Sequence, residues 1–345
     1  MKEQTFVIRM DSVNILTNVW HQSAQVNLWR LKHKFYAVEC GRKWNSKKRP
    51  LPRRAKLLPA FDITCKPDLS IFHFDNNTNL DSEFGALVAQ ARTHGLPIIF
   101  QMHSDPGAKQ ENIRKSRKKV NEFIGSDIMV VNSLAQVPKW KDRRNQDNII
   151  PIIHGMEPSD WPQTTHEKFA VSVLPADGGE EEYHGGDTWR GIQREIGWSV
   201  DNLPIDRPLP SFNAYRRELS KYSVFLAPYQ NAPMSRARTE AMFCGLCIVT
   251  TPFNDADKFI KHGVNGFIFR TRNEAIALLK ELRHNKELCR KVGEEGRRFA
   301  KVVFNRGRYL EDWGRIINYV YWNHKYKKEL DGFKREVEEG YPYCS

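Results

Sequence analysis

Apolar and polar positions follow two alternating patterns along the first 150 residues. Short apolar runs of strand length occur at 6–9, 35–38, 69–74, 97–102 and 128–131, several of them rich in β-branched or aromatic residues. Between some of them, at 81–94 and 110–123, apolar residues return at helical spacing. Single strands alternating with helices predict a mainly parallel, doubly wound α/β sheet. A further apolar run at 149–153 leads into 154–167, where Pro158, Trp161 and Pro162 mark a linker. A second set of strands is predicted at 169–174, 223–227, 246–249 and 266–269, then helices at 273–283, 286–303 and 306–325. A chain of 345 residues exceeds the usual single core. The pattern divides it into a first Rossmann-like domain over 1–155, a second over 156–325 and a tail over 326–345.

One segment combines these patterns with chemistry. Residues 235–250 read SRARTEAMFCGLCIVT. Glu240 opens the apolar patch Ala241–Phe243, Gly245 stands where a helix C-terminus favours a left-handed residue, and a short buried strand follows. Arg236 and Arg238 fall in the first helical turn, where backbone N–H groups are unpaired and an anion is favoured. One carboxylate, a basic first turn and a tight helix–strand corner suit the ribose and diphosphate of a nucleotide. A helix-start carboxylate held by the dipole, with two surface arginines, is the plainer alternative.

Charge adds a question about partners. The chain carries 54 Lys and Arg against 41 Asp and Glu, a net charge of +13, and residues 1–150 hold 25 of the bases but only 14 of the acids. So one-sided an excess favours a polyanionic partner. Its densest cluster, 41–56, contains Arg42, Lys43, Lys47, Lys48, Arg49, Arg53, Arg54 and Lys56 with no acid, around Trp44. Gly41, Pro50 and Pro52 make it a loop. Helix 110–123 adds Arg114, Lys115, Arg117, Lys118 and Lys119, and a smaller group is Lys139, Trp140, Lys141, Arg143 and Arg144. Basic loops with an embedded aromatic suit phosphate contact and base stacking; a solvated loop is the alternative. The acidic run 180–182, flanked by glycines, reads as an exposed, mobile loop. Six scattered cysteines give no disulfide or zinc framework, and the CxxC of Cys244 and Cys247 reads as two small buried residues. No apolar run spans a bilayer and no signal-peptide pattern opens the chain, so a cytoplasmic protein is expected.

Four segments of the second half together resemble the GT-B glycosyltransferases of the retaining family 4 type, also called glycosyl transferases group 1. They are 221–228 (KYSVFLAP), 240–245 (EAMFCG), 246–252 (LCIVTTP) and 260–269 (IKHGVNGFIF). Weaker similarity runs through 97–105 (PIIFQMHSD), 125–133 (GSDIMVVNS) and 149–157 (IIPIIHGME), so that the match covers roughly residues 95–325. The resemblance implies two Rossmann-like domains facing a central cleft, the second holding a nucleotide sugar, expected to be UDP-linked. It implies Glu240 on the ribose and His103 toward the transferred sugar. Three departures stand out. The first glutamate of the family's donor pair is replaced by Ala232, no glycine-rich loop follows the first strand in MDSVNILTNVW, and the family's phosphate-binding Lys-Gly is replaced by the stretch Thr188–Gly191.

The expected chemistry is stabilisation of a leaving diphosphate by a helix N-terminus and basic side chains. Arg236, Arg238 and Arg190, with Ser235 and Thr239 at the helix start, are the donor-binding candidates beside Glu240. His103 closes a strand where doubly wound sheets bind ligands, and Asp105 two residues on is placed to bind or deprotonate an acceptor hydroxyl. His154 and Gly155 fall at the domain junction, where Gly155 permits a turn. Asp255 and Asp257 imitate a metal-binding DxD, yet no metal or other cofactor is expected beyond the nucleotide sugar as co-substrate. For the acceptor, the basic loop with Trp44 favours DNA carrying a hydroxymethylated pyrimidine, extruded from the duplex for modification, as in virus-encoded enzymes that glycosylate their own genome. The alternatives are a glycan or lipid-linked acceptor at an anionic membrane surface, and a non-catalytic DNA-binding module of the same fold.

Overall fold

Six parallel pairings grow outward from a short, half-polar strand, β1 (Asn14–Asn18), which accepts β2 (Lys34–Val38) on one side and β4 (Leu69–Phe74) on the other. The computed structural model describes residues 12–107, 110–143, 147–231, 234–253 and 255–340. The strand expected at 6–9 lies outside them. With β3 (Ala55–Leu58), β5 (Ile98–Met102), β6 (Ile128–Val131) and β7 (Ile149–Pro151), the sheet has the order β3-β2-β1-β4-β5-β6-β7, parallel throughout. Its direction of winding reverses between β1 and β4, and ligands of doubly wound sheets bind beyond the carboxyl ends of strands at such a point.

Helices α1 (Gln22–Leu28), α2 (Glu83–Thr93), α3 (Gln110–Ile124) and α4 (Gln136–Trp140) connect these strands. Phe84, Leu87 and Val88 of α2 and Val120 and Ile124 of α3 cover one face of the sheet, against Phe72, Phe74 and Phe100. The other face is covered by α1 and by a helix from the far end of the chain. That helix, α12 (Arg306–Gly340), sets Tyr309, Trp313, Ile317 and Val320 against Ile15, Trp29, Phe35 and Ile71. Spacings of four, four and three put these residues on one helical stripe. Each fully buried aliphatic such as Ile317 contributes about 1.5–3 kcal/mol. The sequence assigned 306–325 to the second domain; its apolar stripe instead completes the first.

The second sheet comprises β8 (Lys168–Ser172), β9 (Asp201–Asn202), β10 (Tyr222–Ala227), β11 (Cys247–Thr250) and β12 (Phe267–Ile268), in the parallel order β12-β11-β10-β8-β9. Helices α5 (Glu181–His184), α6 (Gly186–Glu195), α7 (Phe212–Leu219), α8 (Arg236–Cys244), α9 (Ala256–Phe259), α10 (Arg272–His284) and α11 (Lys286–Val303) complete it. The acidic run expected to be a mobile loop forms the turn α5. Glu181 there accepts hydrogen bonds from Thr188 N at 3.0 Å and Thr188 Oγ1 at 2.8 Å, which ties the turn to the start of α6.

The domains meet through specific polar contacts. Asp255 of the second domain is buried and accepts from Ser133 Oγ (2.7 Å) and Ala135 N (3.0 Å) of the first. That occupies the first carboxylate of the DxD-like pair in holding the domains together. Gly155 does not serve as a left-handed turn. A Cβ there would lie 2.4 Å from Tyr309 Cβ, so the glycine admits α12 to the junction.

Candidate functional site

A cleft of about 980 Å³ opens between the carboxyl ends of the two sheets. On the second-domain side its wall is the first turn of α8, with Ser235, Arg236, Ala237 and Glu240. Ser235 caps this helix, its Oγ accepting from Arg238 N at 3.3 Å. Gly245 ends it at φ +84°, the left-handed geometry expected of that position, before β11 begins. Arg236 and Glu240 stand four residues apart, so they share a helix face about 6 Å apart along the axis. Arg236 makes no hydrogen bond or ion pair with any described residue, and its Nε is buried without a partner. Burial lowers its ionisation to about 10, which leaves it a cation near neutrality. Arg238 is buried below the helix, touching Met234 Sδ at 3.7 Å, and does not line the cleft. Thr239 likewise turns inward, to His154 Nε2 at 2.9 Å.

Glu240 is almost fully buried and both its oxygens are engaged. Tyr215 OH donates to Oε2 at 2.8 Å, and Arg49 Nη2 reaches Oε1 at 3.3 Å. Arg49 comes from the basic loop of the first domain, its guanidinium 3.8 Å from the Phe212 ring centroid. Burial and then Glu240 push the Tyr215 hydroxyl well above its ordinary range, so it remains a donor.

The remaining donor candidate stands elsewhere. Arg190 points away from the cleft, paired with Asp187 at 2.7 Å at an exposed position. Its place on the cleft wall is taken by His184, at the corner between α5 and α6, whose Nδ1 is buried without a partner. Nothing in the local pattern marked this histidine, because its exposure to the cleft depends on a corner fixed by Gly185 at φ +68°. Ala232, where the family's first glutamate would stand, lies outside the described residues.

On the first-domain side the cleft meets a row of imidazoles. His103 follows β5, its Nε2 lying 3.0 Å from His73 Nδ1 and its Nδ1 3.3 Å from Asn132 Nδ2. Gln101 donates to Asn132 Oδ1 (2.9 Å), while Asn132 Nδ2 also donates to Met102 O (3.1 Å). The Asn132 amide is thereby oriented as a donor to His103 Nδ1. His103 then carries its proton on Nε2 and donates a hydrogen bond from it to His73 Nδ1, so neither nitrogen is free toward the cleft. His21, on the turn after β1, stacks on His103 with ring centroids 5.0 Å apart. Burial above all holds His21 and His73 neutral, lowered to about 3, and lowers His103 and His154 well below their ordinary range. His21 occupies the turn that replaces the glycine-rich loop, between β1 at 14–18 and the start of α1. Asp105 is not on the cleft wall. It is buried in an ion pair with Lys139, and burial raises its carboxyl.

The basic loop divides into several roles. Arg42, Lys43, Lys48 and Arg49 line the cleft, with the Arg42 guanidinium 3.6 Å from the Trp20 ring centroid. Lys47 lines a neighbouring cavity of about 310 Å³, and Arg53 and Arg54 are exposed elsewhere. Trp44 is buried, stacked on Trp29 at 4.8 Å, with Nε1 donating to Arg49 O at 3.0 Å. The aromatic expected to stack on a base is therefore a core residue that mounts the loop. On α3, Arg114, Lys115 and Lys118 are exposed and Arg117 is half-buried, none of them lining the cleft. Arg144 lies outside the described residues. Among the described residues no group of three His, Cys, Asp or Glu side chains is placed to hold a metal ion.

Comparison with known proteins places this geometry in a family context. Residues 213–299 match the model of the family described as glycosyl transferases group 1. An uncharacterized glycosyltransferase of Methanocaldococcus jannaschii is 28% identical over 91 residues, which is 26% of this chain and 23% of that protein. The chain therefore matches under a quarter of that relative's length. Among solved structures, HepE of Anabaena in complex with UDP and glucose superposes with a TM-score of 0.65 at 12% identity, over 89% of this chain and 99% of that one. Sucrose-phosphate synthase of Thermosynechococcus elongatus gives 0.65 at 10% identity, over 90% and 100%. The fold is GT-B, with two Rossmann-like domains facing a cleft.

Proposed function

We propose that the protein is a glycosyltransferase that moves a sugar from a nucleotide donor, UDP-linked, to a hydroxyl on a polyanionic acceptor. The observation that carries this reading is the shared face of Arg236 and Glu240. A cation at a helix N-terminus whose buried Nε has no hydrogen-bond partner, and a carboxylate one turn further, suit the diphosphate and the ribose of a single nucleotide. As the bond to the sugar breaks, charge develops on the diphosphate, and Arg236 with the first-turn N–H groups of α8 stabilises it. Glu240 accepts from the ribose hydroxyls, since its two oxygens offer about four lone-pair sites and the protein uses two. His103 supplies a neutral wall rather than a proton. The binding of UDP and glucose by the similarly folded HepE supports this choice of donor. Retention of anomeric configuration is the outcome expected of this family type.

For the acceptor, the cations Arg42, Lys43 and Lys48 on the cleft rim favour a polyanion. The apolar side chains Val120, Phe123 and Ile124 of α3 pack into the core, so its exposed face is cationic without large apolar groups for bilayer insertion. No described helix is long and apolar enough to cross a membrane. DNA bearing hydroxymethylated pyrimidines is thus the first acceptor to test, with Trp20 rather than Trp44 as the aromatic at the cleft. The test is incubation with labelled UDP-sugars and either modified DNA, lipid-linked acceptors or soluble glycans. Transfer by the native protein and its loss in Glu240→Gln are expected. Transfer to lipid or glycan alone would remove the DNA reading, and full activity of Glu240→Gln would remove the site.

A further inference from the structure

The carboxylate expected to read the ribose is held by a residue from the opposite domain. Arg49 leaves the first-domain loop, crosses to Glu240 Oε1 at 3.3 Å, and lies against Phe212. Its side chain is 16% exposed and that of Glu240 is 6% exposed, so the pair is withdrawn from bulk water. Both residues line the 980 Å³ cleft and also the 310 Å³ cavity, which places the pair at the boundary between the two. The loop is rigidly mounted at this point. Trp44 Nε1 donates to Arg49 O at 3.0 Å, Arg49 Nη1 donates to Lys48 O at 2.9 Å, and Phe212 N donates to Lys47 O at 3.1 Å across the domain boundary.

We propose that Arg49 is a positioning residue of the donor site, supplied by the acceptor-side domain, which holds the Glu240 carboxylate in place for the nucleotide. The inference rests on the nucleotide-sugar reading above. Three physical points support it. An ion pair this withdrawn from water costs desolvation, and the cost is offset only when the partner geometry is held. Here Phe212 and Trp44 hold it. Tyr215 and Arg49 grip one oxygen each, which fixes the carboxylate plane while leaving lone pairs for a diol. Because Arg49 and Tyr215 come from different domains, the grip is complete only when the two domains are in contact. Donor recognition and interdomain contact are thereby joined in one side-chain cluster.

The test is calorimetric titration of UDP into the full chain and into Arg49→Ala, Arg49→Lys, Glu240→Gln and the double variant Arg49→Ala/Glu240→Gln. Expected are a loss of about tenfold or more in UDP affinity for Arg49→Ala and substantial rescue by Arg49→Lys. The double variant is expected within about twofold of Glu240→Gln, because residues that act through one another are non-additive. Arg49→Gln replaces Arg49→Ala if the latter melts well below the native protein. Unchanged or tighter UDP binding in the Arg49 variants would overturn the proposal, as would losses that simply add in the double variant. In those cases UDP binding by the native protein would still uphold the nucleotide reading. A native protein that fails to bind UDP would overturn both.

Discussion

Asp255 of the second domain caps the backbone of Ala135 in the first, its Oδ1 3.0 Å from Ala135 N. The same carboxylate accepts from Ser133 Oγ at 2.7 Å and pairs with Lys258 at 3.4 Å. Asp255→Ala leaves the buried Ser133 hydroxyl without its acceptor and the Ala135 amide with Ser133 Oγ alone, at 3.2 Å, at a cost of about 1–3 kcal/mol. Urea unfolding is expected to show a lower midpoint, and binding of added Mg²⁺ or Mn²⁺ is expected to be the same in variant and native protein. A metal-binding difference between the two would instead restore the DxD reading.

Trp44 separates the two accounts of the basic loop. As a core residue against Trp29, its replacement by Ala should cost about 3–5 kcal/mol in stability. Were it a base-stacking residue, Trp44→Ala would keep its stability and lose acceptor binding. Denaturant midpoints and acceptor titrations on one preparation decide the point.

The buried imidazoles make stability depend on pH. His73 is held neutral chiefly by burial, its ionisation lowered from 6.5 to about 3. Unfolded, it takes up a proton as pH falls below 6.5; folded, it resists until about 3. The unfolded chain thus binds more protons in that window, and stability falls as pH falls through it. His21, lowered to about 3, and His103 act in the same direction. Unfolding free energies measured from pH 7 to 4 should decline, and His73→Gln should flatten the decline by up to about one proton. An unchanged slope in that variant would exclude His73 as a source.

Gly155→Ala tests the junction. The added Cβ would meet Tyr309 Cβ at 2.4 Å and Asn305 O at 2.7 Å, both at the start of α12. Backbone cannot yield cheaply there, so the helix must shift away from the first sheet. Thermal melting is expected to drop by several degrees, as for other overpacked sites costing about 1–3 kcal/mol. A melting point equal to that of the native protein would show that α12 is not held at this contact.

Much of this protein was legible in its sequence because the signals are local. Runs such as 69–74 and 128–131 coincide with the full length of β4 and β6, since a strand buried on both faces must be apolar nearly throughout. The segment 235–250 likewise declares its cap, its carboxylate and its left-handed glycine, because each is a requirement of one helix and its two ends. Other features had no local signal. β1 reads NILTN, and its Asn18 is tolerable at the sheet centre only because its amide donates to His73 O and its oxygen accepts from His73 N, each at 2.8 Å. Tertiary structure alone decided that Trp44 is core, that Arg190 turns outward while His184 lines the cleft, and that Asp105 is spent on Lys139. It also decided that Arg49 meets Glu240 across 191 positions of chain. Residue type and spacing set which groups were available; burial and the partners brought together by folding set which of them face the cleft.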